Sequence, residues 1–192
     1  MNHNLPNFYK KVFNIEVTET ENHELSYLGT PIINPIIFKK KHYVTQENAG
    51  NPTTERYNDF NLPSSCIVDF VRPKIIGVTR INNGNISTVK ETFGFDDWQI
   101  LIRGICYNDP QQKQGFTTVL QQQQELLNWE RILDSIEVQG TQFIKREIFN
   151  LVIENLQFHT IRGNPNVLPF TINAISDEDF LLTQKPLKQI NI

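Results

Sequence analysis

Apolar and polar side chains alternate through the middle of this chain. Ile100 and Ile102 alternate with Gln99 and Leu101, which is the period of two expected for a pleated strand. Runs of similar character predict strands over residues 65–71, 74–81, 86–93, 98–106 and 167–175. Because the first four follow one another directly, the pattern predicts antiparallel strands joined by short turns.

Turn-forming residues lie between the predicted strands. Asn83–Gly84 is the preferred dipeptide of a two-residue type I′ hairpin. Asp96–Asp97 places two short carboxylates where a turn favours them. Near the N-terminus, Pro31 precedes and Pro35 interrupts the apolar residues 32–38. Neither proline can donate a ladder hydrogen bond, so this segment is predicted to be an edge strand or an extended arm.

A single segment has the three- and four-residue spacing of an amphipathic helix. Its apolar positions are Val119, Leu120, Leu126, Leu127 and Leu133, with Trp129 close to the same face. This spacing predicts a helix at about 116–134, with the glutamines at 121–124 on its polar side. Beyond the helix, residues 135–139, 143–144 and 146–158 are predicted to return to β-structure.

These elements predict an α+β fold that is mainly antiparallel β. We expect a sandwich or barrel-like sheet with one packed helix and extended N- and C-terminal arms. Residues 1–25 form the predicted N-terminal arm, 26–182 a single β-rich domain, and 183–192 a C-terminal tail. Within the domain, the polar residues 45–61 are predicted to be a long loop, which is usually functional or ordered by a partner.

Composition narrows the possible partners. The 192 residues carry a net charge of -3, so the chain lacks the basic excess of a nucleic-acid-binding protein. The basic run Lys39–Lys41 is interpreted as a solvated strand edge. Cys66 and Cys106 lie in apolar runs and are expected to be small buried hydrophobic residues. Without a signal-peptide pattern or a membrane-length apolar run, the protein is expected to be made in a reducing cytoplasm.

The residues do not form a recognisable catalytic or metal-binding pattern. The histidines are not spaced as metal ligands from one another or from a cysteine, and they are His3, His23, His42 and His159. The carboxylate pair Asp96–Asp97 could act as acid and base or bind calcium, but the turn interpretation is favoured. We therefore predict no enzymatic activity, no cofactor and no metal.

Several segments resemble, in the same order, an uncharacterised phage-type tail and baseplate domain family of Bacteroidetes phages and prophages. They are 27–31 (YLGTP), 69–76 (DFVRPKII), 88–91 (TVKE), 97–104 (DWQILIRG), 166–170 (NVLPF) and 174–177 (AISD). The resemblance spans residues 26–182. It departs from the family pattern at the start of the helix, where Gln114–Phe116 replaces Tyr-Pro, and in the turn after Arg80.

This resemblance implies a structural virion protein of a tail tube, ring or baseplate. Such a protein would assemble with itself and with neighbouring tail proteins in the host cytoplasm, ending in the virion tail. It would bind no specific nucleic acid and no membrane, although DNA could pass through the lumen of a ring. A ring forms when a head-to-tail contact closes on itself, and arms and loops are common means of reaching a neighbour.

The assembly hypothesis assigns roles to particular aromatic residues. The predicted assembly contacts are Phe8, Tyr9, Phe13, Tyr43, Tyr57 and Phe60, within or near the arm 1–25 and the loop 45–61. The predicted core residues are Phe93, Trp98, Ile100 and Trp129. The alternative hypothesis is a small β-sandwich module that binds carbohydrate or peptide through exposed Tyr43, Tyr57 and Trp98.

Overall fold

A computed structural model describes residues 10–14, 35–46, 51–82, 86–110, 116–160 and 166–177. The strands are β1 (Ile37–Phe38), β2 (His42–Gln46), β3 (Pro52–Arg56), β4 (Phe60–Asn61), β5 (Ile67–Val71), β6 (Lys74–Asn82), β7 (Ile86–Phe95), β8 (Gln99–Tyr107), β9 (Ile136–Gln139), β10 (Asn150–Phe158) and β11 (Val167–Ser176). The helices are α1 (Val119–Glu130) and α2 (Thr141–Ile144), and residues 10–13 form a further helical turn. The predicted α+β class, mainly antiparallel β with one long helix, is confirmed.

Seven strands form one open sheet in the order β4-β1-β9-β10-β11-β8-β5. Every pairing in it is antiparallel. Strands β2 and β3 form a separate hairpin, and β6 and β7 form another. The sheet therefore ends at β4 on one side and at β5 on the other.

The core lies between the seven-stranded sheet and α1. Along β8 and β11, paired even-numbered residues such as Ile102 and Ile172 point inward and are buried. Trp129 of α1 is fully buried among aromatic rings from the first four strands and the loops that join them. Its ring centroid lies 5.0–6.2 Å from those of Phe38, Tyr43, Tyr57 and Phe60. The helix is thus fixed to the N-terminal strands mainly by one indole ring.

Local sequence explains where α1 begins. The Thr118 hydroxyl accepts a hydrogen bond from the Gln121 N–H, and the Gln121 side chain accepts one from the Thr118 N–H. This capping box satisfies donors that the first helical turn leaves free. One turn along, the buried Gln122 amide donates to the Tyr107 and Phe116 carbonyls and accepts from the Tyr107 N–H. The glutamine run is therefore not uniformly a polar outer face, because Gln122 joins the helix to β8.

Several predicted boundaries need correction. The helix is shorter than 116–134, since it spans only Val119–Glu130. Much of the predicted loop 45–61 is strand, because β2, β3 and β4 occupy it. Strand β3 was not predicted, because its sequence, PTTER, contains no large apolar residue and is mostly exposed. The predicted edge segment contains β1, which lies between β4 and β9 and so is not an edge.

Two further predictions have clear outcomes. Residues 143–144 are helical and not β, because the Gly140 carbonyl accepts hydrogen bonds from both Phe143 and Ile144 and closes a turn. The predicted turn at Asp96–Asp97 is wrong, because residues 96–98 join β7 to β8 without reversing the chain, between the pairs Lys74–Phe95 and Val71–Gln99. The Asp97 N–H donates to the Asp96 carboxylate within this link. The predicted hairpin turn at Asn83–Gly84 lies outside the described residues, although β6 and β7 on either side of it are paired.

The core predictions are only partly correct. Trp129 and Ile100 are buried as predicted, and Trp98 is half-buried against the core. The prediction that Phe93 lies in the core is wrong, because its side chain is 68% exposed. It lies on a hairpin that has no sheet or helix packed along it within the described residues. A period-two pattern identifies a strand but does not say whether another layer covers it.

The aromatic cluster predicts the result of removing its central ring. Trp129→Ala should lower the free energy of unfolding by about 3–5 kcal/mol, because it leaves a cavity among four aromatic side chains. Denaturant unfolding followed by circular dichroism measures this change. Leu120→Ala is the matched control, since Leu120 lies on the same helix and is 76% exposed; its effect should stay within about 0.5 kcal/mol. Equal losses for the two variants would contradict the described packing of α1.

Candidate functional site

The hairpin of residues 74–95, formed by β6 and β7 and called the ribbon below, is the candidate functional site. It continues the β5–β8 pair at the edge of the sheet. Val71 pairs with Gln99 on the sheet side, and Lys74 pairs with Phe95 on the ribbon side. Within the described part of the chain, no other strand or helix packs along the ribbon. It therefore projects from the sheet edge as a two-stranded element with no second layer among the described residues.

The ribbon carries an unusual number of exposed large apolar side chains. Six of them are between 42% and 68% exposed: Ile75, Ile76, Val78, Val89, Phe93 and Phe95. Val71, just before the ribbon, is also exposed. Other exposed apolar residues, such as Leu120 and Leu133, belong to different segments. Single exposed apolar residues are ordinary, whereas a concentration on one element indicates a surface that contacts a partner.

Both faces of the ribbon are apolar near the sheet. The register shifts between Ile75 and Ile76, so that Phe93 is the extra residue of a β-bulge. Gly94 follows with φ of +139°, a conformation that favours glycine. Phe93 lies over Gly77, where a Cβ atom would come within 2.5 Å of its ring. Alternation then places Ile75 and Phe93 on one face, and Ile76, Val78 and Phe95 on the other.

Charged side chains are interspersed with these apolar ones. Lys74, Arg80 and Lys90 are basic, and Glu91 is the single acidic residue between 74 and 95. All four side chains are exposed. The ribbon is therefore basic in a chain whose net charge is -3. Such a mixture of apolar and basic groups suits an acidic protein surface as a partner.

The root of the ribbon is fixed to the sheet by backbone and ring contacts. The Asp96 N–H donates to the Pro73 carbonyl over 3.0 Å, and the Arg72 Nε donates to the Asp96 carbonyl over 3.3 Å. The Arg72 guanidinium also lies 5.2 Å from the Phe95 ring centroid and 5.3 Å from that of Trp98. These contacts determine the direction in which the ribbon leaves the sheet.

A second arginine supports the root from the other side. The Arg146 guanidinium lies 4.2 Å from the Phe70 ring centroid, and the rings of Phe70 and Trp98 meet edge to face at 6.3 Å. Arg146 is itself held by Gln142, whose carbonyl and side-chain oxygens both accept its hydrogen bonds at 2.9 Å. The root therefore joins β5, β8 and the turn after α2.

The structure separates the predicted assembly contacts into three groups. Phe8 and Tyr9 lie outside the described residues. Phe13 packs on its own domain, with its ring edge to face with that of His159 at 6.0 Å and 6.0 Å from the Arg103 guanidinium. Tyr43, Tyr57 and Phe60 are buried around Trp129. The last three are a correction, because buried core rings offer no surface to a neighbouring subunit.

Burial of the same rings also affects the alternative binding-module hypothesis. Tyr43 donates a hydrogen bond to the Lys39 carbonyl, and Tyr57 donates one to the Asn128 carbonyl. Burial raises the pKa of both phenols. Trp98 is half-buried at the ribbon root. These three aromatic residues therefore do not form the exposed binding face that this hypothesis expects.

Metal-binding and nucleophilic side chains are the groups that could carry out chemistry. Within the described residues, no cluster of three His, Cys, Asp or Glu side chains is positioned to hold a metal ion. Cys66 and Cys106 are free and buried, as predicted, and burial raises the pKa of both thiols. Among the described helices, none is both long and apolar enough to cross a bilayer.

Sequence reasoning predicted the strands of the ribbon but not its role. The segments 74–81 and 86–93 were correctly predicted as paired strands. Phe93 was the one residue of these strands predicted to lie in the core, and its side chain is exposed instead. One signal was available, since Ile75 and Ile76 are adjacent, which is the pattern of a strand with apolar residues on both faces.

The fold defines the class of protein: an open antiparallel β-sheet domain with one covering helix and a projecting two-stranded ribbon. Residues 61–186 match the model of a family described as a domain of unknown function (DUF6046). The match covers about two thirds of the chain, so the chain belongs to this family. No curated protein matches the sequence. The matched region begins at β4 and includes the whole ribbon.

The buried thiols predict a simple chemical test. At pH 8, the folded protein should react with a thiol reagent at least about a hundredfold more slowly than the unfolded protein, because burial both blocks access and suppresses the thiolate. Absorbance of the released reagent anion, with and without denaturant, measures both rates. Rapid labelling of both thiols in the folded protein would contradict their position in the core.

The ribbon predicts a substitution that spares stability. Phe93→Ser should change the free energy of unfolding by no more than about 0.5–1 kcal/mol, because the ring is mostly exposed already. Ile102→Ser, at a fully buried position in the sheet, should cost at least about 3 kcal/mol. Denaturant unfolding compares the two variants. A Phe93→Ser loss as large as that of Ile102→Ser would show that the ring is part of the core.

Proposed function

We propose that the protein is a structural subunit of a phage tail assembly, in a tail tube, a ring or a baseplate. In this role it assembles with further copies of itself and with neighbouring tail proteins, and it acts without catalysing a reaction. The observation that carries the proposal is the ribbon, whose six exposed large apolar side chains have no cover in the described part of their own chain. The ordered segments that resemble phage tail and baseplate domains supply the biological setting.

The energetics of the ribbon support an assembly role. An isolated two-stranded hairpin is marginally stable in water, and apolar side chains on both of its faces add a hydration cost. Full burial of a large apolar side chain contributes about 1.5–3 kcal/mol, and a neighbour that covers one of these half-exposed side chains gains roughly half of that. Burial of several such side chains is enough to offset the entropy lost when two subunits associate.

The architecture of the body also suits a structural subunit. The core is built around large rings, and the root of the ribbon is fixed by two arginines and Trp98. A rigid body with a directed arm can hold each neighbour at a constant angle. Repetition of one such contact generates a closed ring or a helical tube.

In the proposed setting, the subunit is assembled in the bacterial cytoplasm and functions in the virion tail. If copies form a ring, DNA could pass through its centre without specific recognition. The net charge of -3 is compatible with a lumen that does not retain DNA by charge attraction. Neighbouring tail proteins would cover the surfaces that copies of this chain leave open.

The test is the oligomeric state of the purified full chain, measured by mass photometry and negative-stain imaging. We expect assembly that increases with protein concentration, with rings or stacked discs in the images. Isolated phage particles that encode the chain should contain it in many copies by quantitative mass spectrometry. A monomer at every concentration, together with absence from particles, would contradict the proposal.

A ribbon variant connects this assembly to the proposed surface. The combined change Ile75→Thr, Phe93→Thr and Phe95→Thr should weaken self-association by at least about a hundredfold, because it removes three large apolar contacts. Leu120→Thr with Leu133→Thr is the matched control, since both leucines are more than half exposed but lie outside the ribbon. If the control weakens assembly and the ribbon variant does not, assembly uses a different surface.

A further inference from the structure

An apolar groove lies where the seven-stranded sheet remains open. It has a volume of about 160 Å³ and runs between the start of β5 and the junction of β9 with α2. Its lining includes Ile36, Ile67, Val68, Gly140, Gln142 and Phe143. The groove lies beside an edge strand, because β5 pairs with β8 on one side and is the last strand of the sheet. Edge strands and apolar grooves are both common acceptors of another chain.

We infer that this groove receives an apolar side chain from the ribbon of a second copy of the chain, in a head-to-tail contact. In this arrangement an exposed side chain near the ribbon root, such as Phe93, packs against the half-buried Ile67 and Val68 of the neighbouring copy. Each copy thus offers a ribbon to one neighbour and a groove to another. The inference rests on the proposed assembly function and identifies both surfaces of the contact.

A ribbon cannot occupy the groove of its own chain. The groove lies at the start of β5, whereas the ribbon begins beyond its end, after Arg72–Pro73. The antiparallel pairing of β5 with β8 ends at Val71 and Gln99, and the pairing of β6 with β7 begins just beyond it at Lys74 and Phe95. The ribbon therefore runs away from the groove. Folding back would break the hydrogen bond between Asp96 and Pro73 at the root. The two surfaces are therefore available to different copies.

Charge favours a contact between ribbon and body over a contact between two ribbons. Residues 74–95 contain three basic side chains and one acidic one. Since the full chain has 18 basic and 21 acidic residues, the remainder has 15 basic and 20 acidic residues. Two ribbons in contact would bring like charges together, whereas a ribbon on the body of another copy brings opposite charges together. The contact is therefore heterologous, with different surfaces on its two sides.

The position of the exposed apolar side chains favours a neighbouring subunit as the partner. Ile75, Ile76, Phe93 and Phe95 lie close to the sheet. A partner that covers the root must lie beside the body, as a neighbouring subunit does.

The test is a mixing experiment with two variants of the full chain. The ribbon variant carries Ile75→Glu and Phe93→Glu, and the groove variant carries Ile67→Glu; circular dichroism establishes that both fold. If the groove variant is unstable, Ile67→Trp replaces it, because a large ring at this half-buried position narrows the groove. Mass photometry measures the wild type, each variant alone and the equimolar mixture.

We expect the wild type to assemble and each variant alone to be monomeric. In the mixture, the intact ribbon of the groove variant should enter the intact groove of the ribbon variant and give a 1:1 heterodimer that does not grow. Its affinity should fall at least about tenfold when salt is raised from about 50 to 500 mM, because opposite charges are screened.

Four outcomes would overturn the inference. A mixture that stays monomeric while the wild type assembles shows a different interface, and the proposed structural function survives. Assembly of either variant alone would also show that a different interface is used, and the proposed structural function would survive. A wild type that is monomeric at every concentration overturns the head-to-tail contact and the self-assembly part of the proposed function together. Binding of the ribbon to anionic vesicles without self-association would assign the ribbon to a membrane instead.

Discussion

A two-stranded ribbon has too few neighbours to bury its own side chains. Side chains alternate between two faces, and a core can cover a face only where another layer packs against it. Within the described residues, the ribbon of this protein has no such layer, yet its half nearest the sheet is apolar on both faces. The proposed assembly follows from this constraint, because a neighbouring subunit can supply the cover that the described residues do not.

The body of the protein can be understood as a rigid support for that ribbon. Trp129 binds α1 to the first four strands, and Gln122 binds the same helix to β8. Strand β8 then pairs with β5, and these two strands continue into the ribbon. Arg72 and Arg146 brace the root around Trp98. The aromatic core, α1, β8 and the ribbon are therefore joined by a continuous series of contacts.

The sequence was sufficient to predict most of the local elements but not their exposure. Alternation around Ile100 and helical spacing around Leu126 correctly predicted β8 and α1. Strand β3 was missed because PTTER faces solvent and lacks apolar residues. Tyr43 and Tyr57 were assigned to the surface since they border a polar segment, but tertiary packing buries them against Trp129. Phe93 was predicted to be buried but is exposed. Whether another layer covers a strand depends on the order of the strands in the fold, which the period-two pattern does not encode.

The most direct test of the central claim is hydrogen exchange of the ribbon amides, measured by mass spectrometry at protein concentrations below and above assembly. Partner contact removes water from the strand edges and slows the local opening that exchange requires. We expect the amides of residues 74–95 to exchange much more slowly after assembly. Amide exchange in peptides that cover α1 should not change. Assembly without added protection in the ribbon would contradict the claim that this element joins the subunits.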